Sequence, residues 1–364
     1  MKHSAGTPNA NGTGRNSGNL LALLRSNILS GKVAPGDFLP TVRQLSDDHG
    51  VSRGTAWRAL KALVAEGLVA AQPRHGYRVL AHAGNPDRGT PLAYVLSEDN
   101  IISGWDIYYR TLSASIEEVA ATRGWTLMRM IAGPGKEEEL FGQLMAAKAC
   151  GLILDTANLA LLERAKRSGL PAVMVDAWRP GADFDAVVQD DFSGGQLAAR
   201  YLVEKGCRRI AWLGPLSESY HAYARFGGAT SFLAGEGLKF SQVVDVDLEA
   251  PDLVDQAREL LDESHRPAAV LPLWRPVISA IVAAAREMRL EIGRDFEMVS
   301  WMAEEVFDEG YAPIFGDGPV PTAVTWSTTR MAQLALARLA ERRAHPNVPT
   351  ACMTVPASLR LATK

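Results

Sequence analysis

Apolar positions along this chain follow two rhythms, and the change between them divides it. From Asn19 to about Leu68 they recur at helical spacing. "NLLALLRSNILSG" sets Leu20, Leu21, Leu24, Ile28 and Leu29 on one stripe that Gly31 ends, which predicts a first helix. In "LPTVRQLSDDHG", Thr41 and Gln44 have the spacing of a reciprocal capping box, and Gly50 is placed to stop a second helix. In "HGVSRGTAWRALKALVAEGL", Ser52 is an N-cap residue, Ala56, Ala59, Leu60 and Leu63 make one apolar face, and Gly67 lies just past the end. "LVAAQPRHGYRVL" reads as two short strands around a Pro73–Gly76 turn. Three helices and a hairpin predict an α+β winged helix-turn-helix. On the third helix Gly54, Arg58 and Lys61 point away from the apolar face, and Trp57 lies on its flank.

Beyond a polar linker at 81–90, "AHAGNPDRGT", short apolar strands alternate with amphipathic helices. Strands are expected at "PLAYVLSE", "WTLMRMIA", "CGLILD", "LPAVMVDA", "AVVQD", "RRIAWLG", "AAVLPL", "EMVSWM" and "TAVTWS". Helices are expected between them, among others over Trp105–Thr122, Leu159–Ser168, Phe192–Lys205 and Val277–Arg289. Repeated βαβ units imply mainly parallel sheets covered on both faces, and a body this long fits two α/β lobes better than one. The expected organisation is a disordered tail (1–18), a winged-helix head (19–80), the linker (81–90) and a two-lobed body (91–364).

Charge sharpens this division. Residues 1–80 carry ten Lys/Arg against four Asp/Glu, while the remainder carries 28 against 37. A basic head on an acidic body implies a polyanionic partner for the head alone. Cys150, Cys207 and Cys352 have neither metal-ligand nor redox spacing and are expected as reduced core thiols. The amino-terminal stretch lacks the apolar core of a signal peptide, and no apolar run approaches membrane-spanning length, so a cytoplasmic protein with no membrane partner is expected.

Enzymatic motifs are missing: there is no phosphate-binding G-x-x-x-x-G-K-[ST] loop, no G-x-S-x-G elbow and no H-E-x-x-H. The seven histidines are scattered, and the Asp190–Asp191 pair suits a helix cap better than hydrolysis. No enzyme activity, cofactor or metal site is expected.

The ordered elements of the head, "ILSGKVAPGDFLPTVRQLSDDHGVSRGTAWRALKALVAEGL" with "RHGYRV", resemble the GntR-type winged-helix reader over some sixty residues. That resemblance implies DNA contacts from Arg43, Ser52, Arg53 and Thr55, and a wing tip, His75–Gly76, in the minor groove. Arg58 and Lys61 extend the basic front. The family often has Arg where this chain has Trp57, which leaves open whether the base-reading contact has moved to Arg58; Trp57 itself is expected to pack more than to read bases.

In the body, "GLPAVMVDAWRPGADFDAVVQDDFSGGQLAARYLVEKGCRRIAWLGP", "YARFGGATSFLAGEGL" and "VPASLRLAT" are similar to the LacI-type sensor domain, which shares the periplasmic-binding-protein fold. The resemblance covers about residues 91–364 and implies a small molecule held between two lobes. It assigns Asp191, where the family has Asn, and the Arg225 of "R-x-x-G" to the effector site. Asn100, Trp105, Asp106, Asp155 and Trp178 are further candidates near strand ends. Trp274–Arg275 stand where the family has Asn–Asp, and Met302, beside Trp301, where it has Asp. An anionic or aromatic effector follows if both Arg225 and Arg275 face the cavity; otherwise Arg275 faces solvent and Trp274 fills core.

Together the two resemblances imply a one-component transcription regulator. It would be a homodimeric repressor that reads an inverted-repeat DNA operator and is released by a sugar-like or sugar-acid-like metabolite. Two alternatives stand beside it: an enzyme domain fused to a DNA reader, and a regulator answering to a protein partner, with Trp274 and Trp301 filling a collapsed cleft.

Overall fold

The computed structural model describes residues 20–25, 27–28, 32–34, 36–65, 68–72, 76–80, 89–97, 106–216 and 219–362. The tail at 1–18, His75, Asn100, Trp105, most of the linker and the side chain of Asp106 lie outside the described residues. Two compact units are present: the described residues through Pro91 with Glu118–Leu127, and Leu92–Glu117 with the residues from Met128 onward.

In the head, helical residues 20–25 and 27–28 (α1) are followed by α2 (Val42–His49) and α3 (Arg53–Ala65). The hairpin β1 (Val69–Gln72) and β2 (Gly76–Val79) is antiparallel, with Val69 opposite Val79. The capping box forms: Gln44 N–H donates to the Thr41 hydroxyl and Thr41 N–H to Gln44 Oε1. Gly50, at φ 59°, ends α2 in the left-handed conformation that glycine tolerates. Leu20, Leu24, Ile28, Leu45, Ala56, Leu60, Leu63 and Val79 form one buried core, so the predicted stripes do face each other.

The body contains two six-stranded sheets. The first lobe holds β3 (Thr90–Ser97), β4 (Trp125–Ala132), β5 (Leu152–Asp155), β6 (Ala172–Val175), β7 (Asp185–Gln189) and a late strand, β13 (Cys352–Val355), in the order 13-7-6-5-3-4. The second holds β8 (Ile210–Leu213), β9 (Gln242–Val244), β10 (Ala269–Pro272), β11 (Glu297–Ala303), β12 (Thr322–Trp326) and β14 (Ser358–Arg360), in the order 14-12-11-10-8-9. Pairing is parallel from β3 through β5, β6 and β7 to β13, and through β9, β8, β10, β11 and β12, whereas β14 is antiparallel to β12. The chain thus passes between lobes after β7, after β12 and between β13 and β14.

The helices that matter to the site are α4 (Asp106–Thr122), α5 (Glu137–Ala146), α6 (Leu159–Ser168), α7 (Asp191–Glu204), α8 (Tyr220–Gly235), α9 (Leu253–Leu260), α10 (Arg275–Glu287) and α11 (Thr328–Ala344). Helices α7 and α8 touch backbone to backbone. A Cβ on Gly195 would lie 2.1 Å from the Arg225 carbonyl oxygen, and one on Gly228 would lie 2.0 Å from that of Phe192. The cysteines depart from expectation: only Cys207 is buried, Cys150 is half-buried and Cys352 is exposed on an edge strand.

Candidate functional site

The first candidate site is the outer face of α3. Ser52 accepts from Thr55 N–H at 3.1 Å and starts the helix, and the buried Ala56, Ala59, Leu60 and Leu63 turn the other side outward. Arg53, Trp57, Arg58 and Lys61 are all exposed there, as is Arg43 on α2, which reaches toward Asp47 at 3.8 Å. Two expectations need correction. Thr55 is buried, its hydroxyl 2.9 Å from that of Ser52, so it braces the helix start instead of presenting a surface. Trp57 does not pack into the core: it is 49% exposed, with the Lys61 ammonium 5.7 Å from its ring centre. Gly76 adopts φ 104°, a conformation closed to most side chains, at the turn into β2.

The second site is a cavity of about 550 Å³ whose walls come from both lobes of the body. Parallel strands direct their carboxyl ends there, as expected for open α/β sheets. Asp155 ends β5, and Asp176 and Trp178 follow β6; from the second lobe come Tyr220, His221 and Arg225 of α8, Trp274 before α10, and Trp301 of β11.

The charged groups form a connected set. Arg225 Nε donates to Asp191 Oδ1 at 2.6 Å, and the guanidinium lies 5.7 and 5.1 Å from the ring centres of Trp301 and Trp326. His221 Nδ1 meets Asp191 Oδ2 at 2.6 Å, while its Nε2 lies 2.9 Å from the backbone carbonyl of Asp176 in the other lobe. Burial alone would raise the Asp191 carboxyl, but Arg225 and His221 outweigh it and hold Asp191 below the usual range. Burial likewise works against His221 protonation, yet Asp191 and Asp176 lift it to about 9. A protonated His221 therefore donates to both lobes at neutral pH.

Asp155 is buried and accepts from the Tyr94 hydroxyl at 2.7 Å; burial first, then the Asp176 charge, raise its pKa well above the ordinary value. Asp176 is also raised by burial, against the pull of His221, and accepts from Gln189 Nε2, which reaches Tyr108 as well. Acidic and hydroxyl groups on one side and indole rings on the other suit a compact, hydroxyl-bearing ligand.

Backbone conformation marks the same place. Asp176 takes φ 52°, and Trp274 takes φ 72° and ψ 157°, a region otherwise almost confined to glycine. Such a conformation costs about 1–3 kcal/mol and persists only where the surroundings enforce it.

Among the candidates from sequence, Asp155, Trp178, Arg225, Trp274 and Trp301 meet at the cavity, and Asp191 stands directly behind it. Arg275 is not among the lining residues and sits half-buried at the start of α10, so the two-arginine pocket does not form. Nor is the cleft collapsed: Trp274 and Trp301 are walls of an open space. Sequence reasoning missed Asp176, Gln189, His221 and Tyr108. The one local signal was the i, i+4 spacing of His221 and Arg225 in "HAYAR", which puts both on one face of a helix. Among the described residues no three His, Cys, Asp or Glu side chains are grouped to hold a metal, and no helix is long and apolar enough to cross a membrane.

Comparison with known proteins agrees with both halves. Residues 16–79 match the gntR family of bacterial regulatory proteins, and residues 199–361 match the periplasmic binding protein-like domain. An Escherichia coli O1:K1 / APEC protein described as the HTH-type transcriptional repressor PurR is 29% identical over 205 residues, which are 53% of this chain and 59% of that protein. The chain thus spans little more than half the length of this curated relative. Among solved structures, a complex of the transcriptional regulator CelR with cellobiose superposes with a TM-score of 0.62 at 20% identity, covering 89% of this chain and 99% of the other. The lac repressor dimer bound to operator and the anti-inducer ONPF gives 0.61 at 18% identity, covering 76% and 94%. At these identities the structures speak for the fold. The chain thus carries a winged-helix head similar to the gntR family over residues 16–79, and a body of two α/β lobes similar to the periplasmic binding protein-like domain over residues 199–361.

Proposed function

We propose that this chain is a one-component transcription repressor, not an enzyme, working in the cytoplasm as a homodimer on an inverted-repeat DNA operator. Its body binds a small hydroxylated metabolite, of the carbohydrate class, in the cavity between its lobes. The observation that carries this reading is the His221 bridge. One side chain is bonded to the second lobe through Asp191 and to the first through the Asp176 carbonyl, on the wall of the cavity itself. A ligand that engages Asp176 or His221 changes the relative stability of lobe arrangements, and differential affinity for two arrangements is all that control of DNA binding requires. Arg225 spends its Nε on Asp191 and Arg275 lies off the wall, whereas Asp155 and Asp176 stay at the cavity, which favours a polyol over an anion. The head is residues 19–80 and the body residues 91–364.

The test is a thermal-shift screen of the full chain against neutral sugars, sugar acids and aromatic acids, followed by fluorescence anisotropy on operator duplex with and without each hit. A neutral sugar at a hundredfold its dissociation constant stabilises the protein by about 2.7 kcal/mol and changes DNA affinity. Stabilisation by no small molecule, or a hit that leaves DNA affinity untouched, contradicts the effector role.

A further inference from the structure

On the DNA-facing helix, and resting on the proposed DNA-binding role, one side chain is out of keeping with its neighbours. Arg53, Trp57 and Lys61 occupy positions i, i+4 and i+8 of α3, so they form one row along its exposed side. An indole half-open to water sits between two cations, on the flank of the buried face that holds Ala56 and Leu60. Large aromatic side chains do not gain from such a place in the free protein. Lys61 covers one part of the ring from 5.7 Å and leaves the rest uncovered.

The neighbouring arginine does not offer the alternative. Arg58 folds back along its own helix, with Nε on the Gly54 carbonyl at 3.3 Å and Nη2 on the Thr55 hydroxyl at 3.5 Å. In the free chain Arg58 is thus held against its own helix, whereas the Trp57 ring is presented outward. Gly54, one turn before Trp57, adds nothing to the surface: a Cβ there would meet only the Ser52 hydroxyl oxygen, at 3.8 Å. The first turn can thus approach a duplex closely, and the flanking cations fit phosphates on either side.

An indole offers a broad apolar face and a single N–H donor, and cannot make the two-pronged bond of arginine to guanine. The apolar feature of the major groove is the 5-methyl group of thymine. We propose that Trp57 reads a thymine 5-methyl group in each half-site of the operator, with Arg53 and Lys61 holding the adjacent phosphates. Specificity at that base pair rests on a methyl group and not on a hydrogen-bond pattern.

The experiment starts from duplexes enriched out of a random pool by the full chain, with Trp57→Ala and Trp57→Arg run in parallel. Each thymine of the enriched duplex is then replaced by deoxyuridine, which removes only the methyl group, and affinity is read by anisotropy at fixed salt. The expected result is one thymine per half-site whose replacement weakens the wild-type chain roughly tenfold, the lower part of the range for a single base pair. Trp57→Ala, exposed and expected to fold with an unchanged melting temperature, should be indifferent to that replacement. Trp57→Arg should enrich guanine there instead. Deoxyuridine tolerated at every position overturns the proposal. So does an equal loss in Trp57→Ala, or a Trp57→Ala chain with unchanged base preference and an altered oligomeric state, which would place the indole in a contact between copies. Failure to enrich any DNA overturns the DNA-binding reading itself, a result distinct from the others.

Discussion

Single residues at the cavity combine charges that none could hold alone. Asp191 is buried between Arg225 and His221, and removing its charge leaves the buried Arg225 without its counter-ion and the half-buried His221 with only Asp176. Asp191→Asn should destabilise the body by about 3–5 kcal/mol, the usual cost of breaking one side of a buried pair, read by urea titration. His221 gives a pH signature with a definite sign. Its folded pKa of about 9 stands above the ordinary 6.5, so the stabilisation is complete below pH 6.5 and is lost as pH rises through 9. The loss is on the order of 3 kcal/mol between pH 6.5 and pH 9.5, and His221→Gln should flatten that limb of a stability-against-pH curve. Which residues were legible depended on how local their context is. Asp155 and Arg225 could be found because one ends an apolar strand and the other sits in a helical motif. Asp176 and His221 could not be joined, because their bond spans 45 positions and exists only once the lobes meet.

At the scale of elements, the head was readable almost throughout, since its capping box, its glycine stop and its apolar stripes are all short-range signals. Helices in the body started within two residues of expectation, Asp191 for Phe192 and Arg275 for Val277. The strands β9, β13 and β14 went unread for a physical reason. They hold three or four residues, lie at sheet edges, and expose most of their positions wholly or in part, so pairing with distant strands alone defines them. The contact of α7 with α8 yields a sharp expectation. Gly228→Ala sets a methyl group on the Phe192 carbonyl, and neither backbone can yield without moving Asp191 or Arg225. A loss of about 3 kcal/mol, the upper end for overpacking, should appear in thermal unfolding together with a weakened effector-induced shift.

For the whole molecule, charge is divided along the chain: basic in the first eighty residues and acidic in the rest. On the proposed DNA-binding role, the acidic remainder would repel DNA that the basic head attracts, so binding should be steeply salt-dependent and confined to the head face. Arg53→Ala should lower the slope of log affinity against log salt by about one per head, with little change in sequence preference, as measured by anisotropy between 50 and 200 mM salt, values of the order used for such titrations. The body, in turn, keeps its fixed and variable parts apart. Where α7 and α8 press together no methyl group can be added, so the carriers of Asp191, His221 and Arg225 are closed to revision. Trp178, Tyr220 and Trp274 stand half-open on the cavity wall, on loop ends and a first helical turn. Retuning this cavity to a new molecule, whether by descent or at the bench, is a matter of rewriting that wall while the glycine-joined frame behind it stays the same.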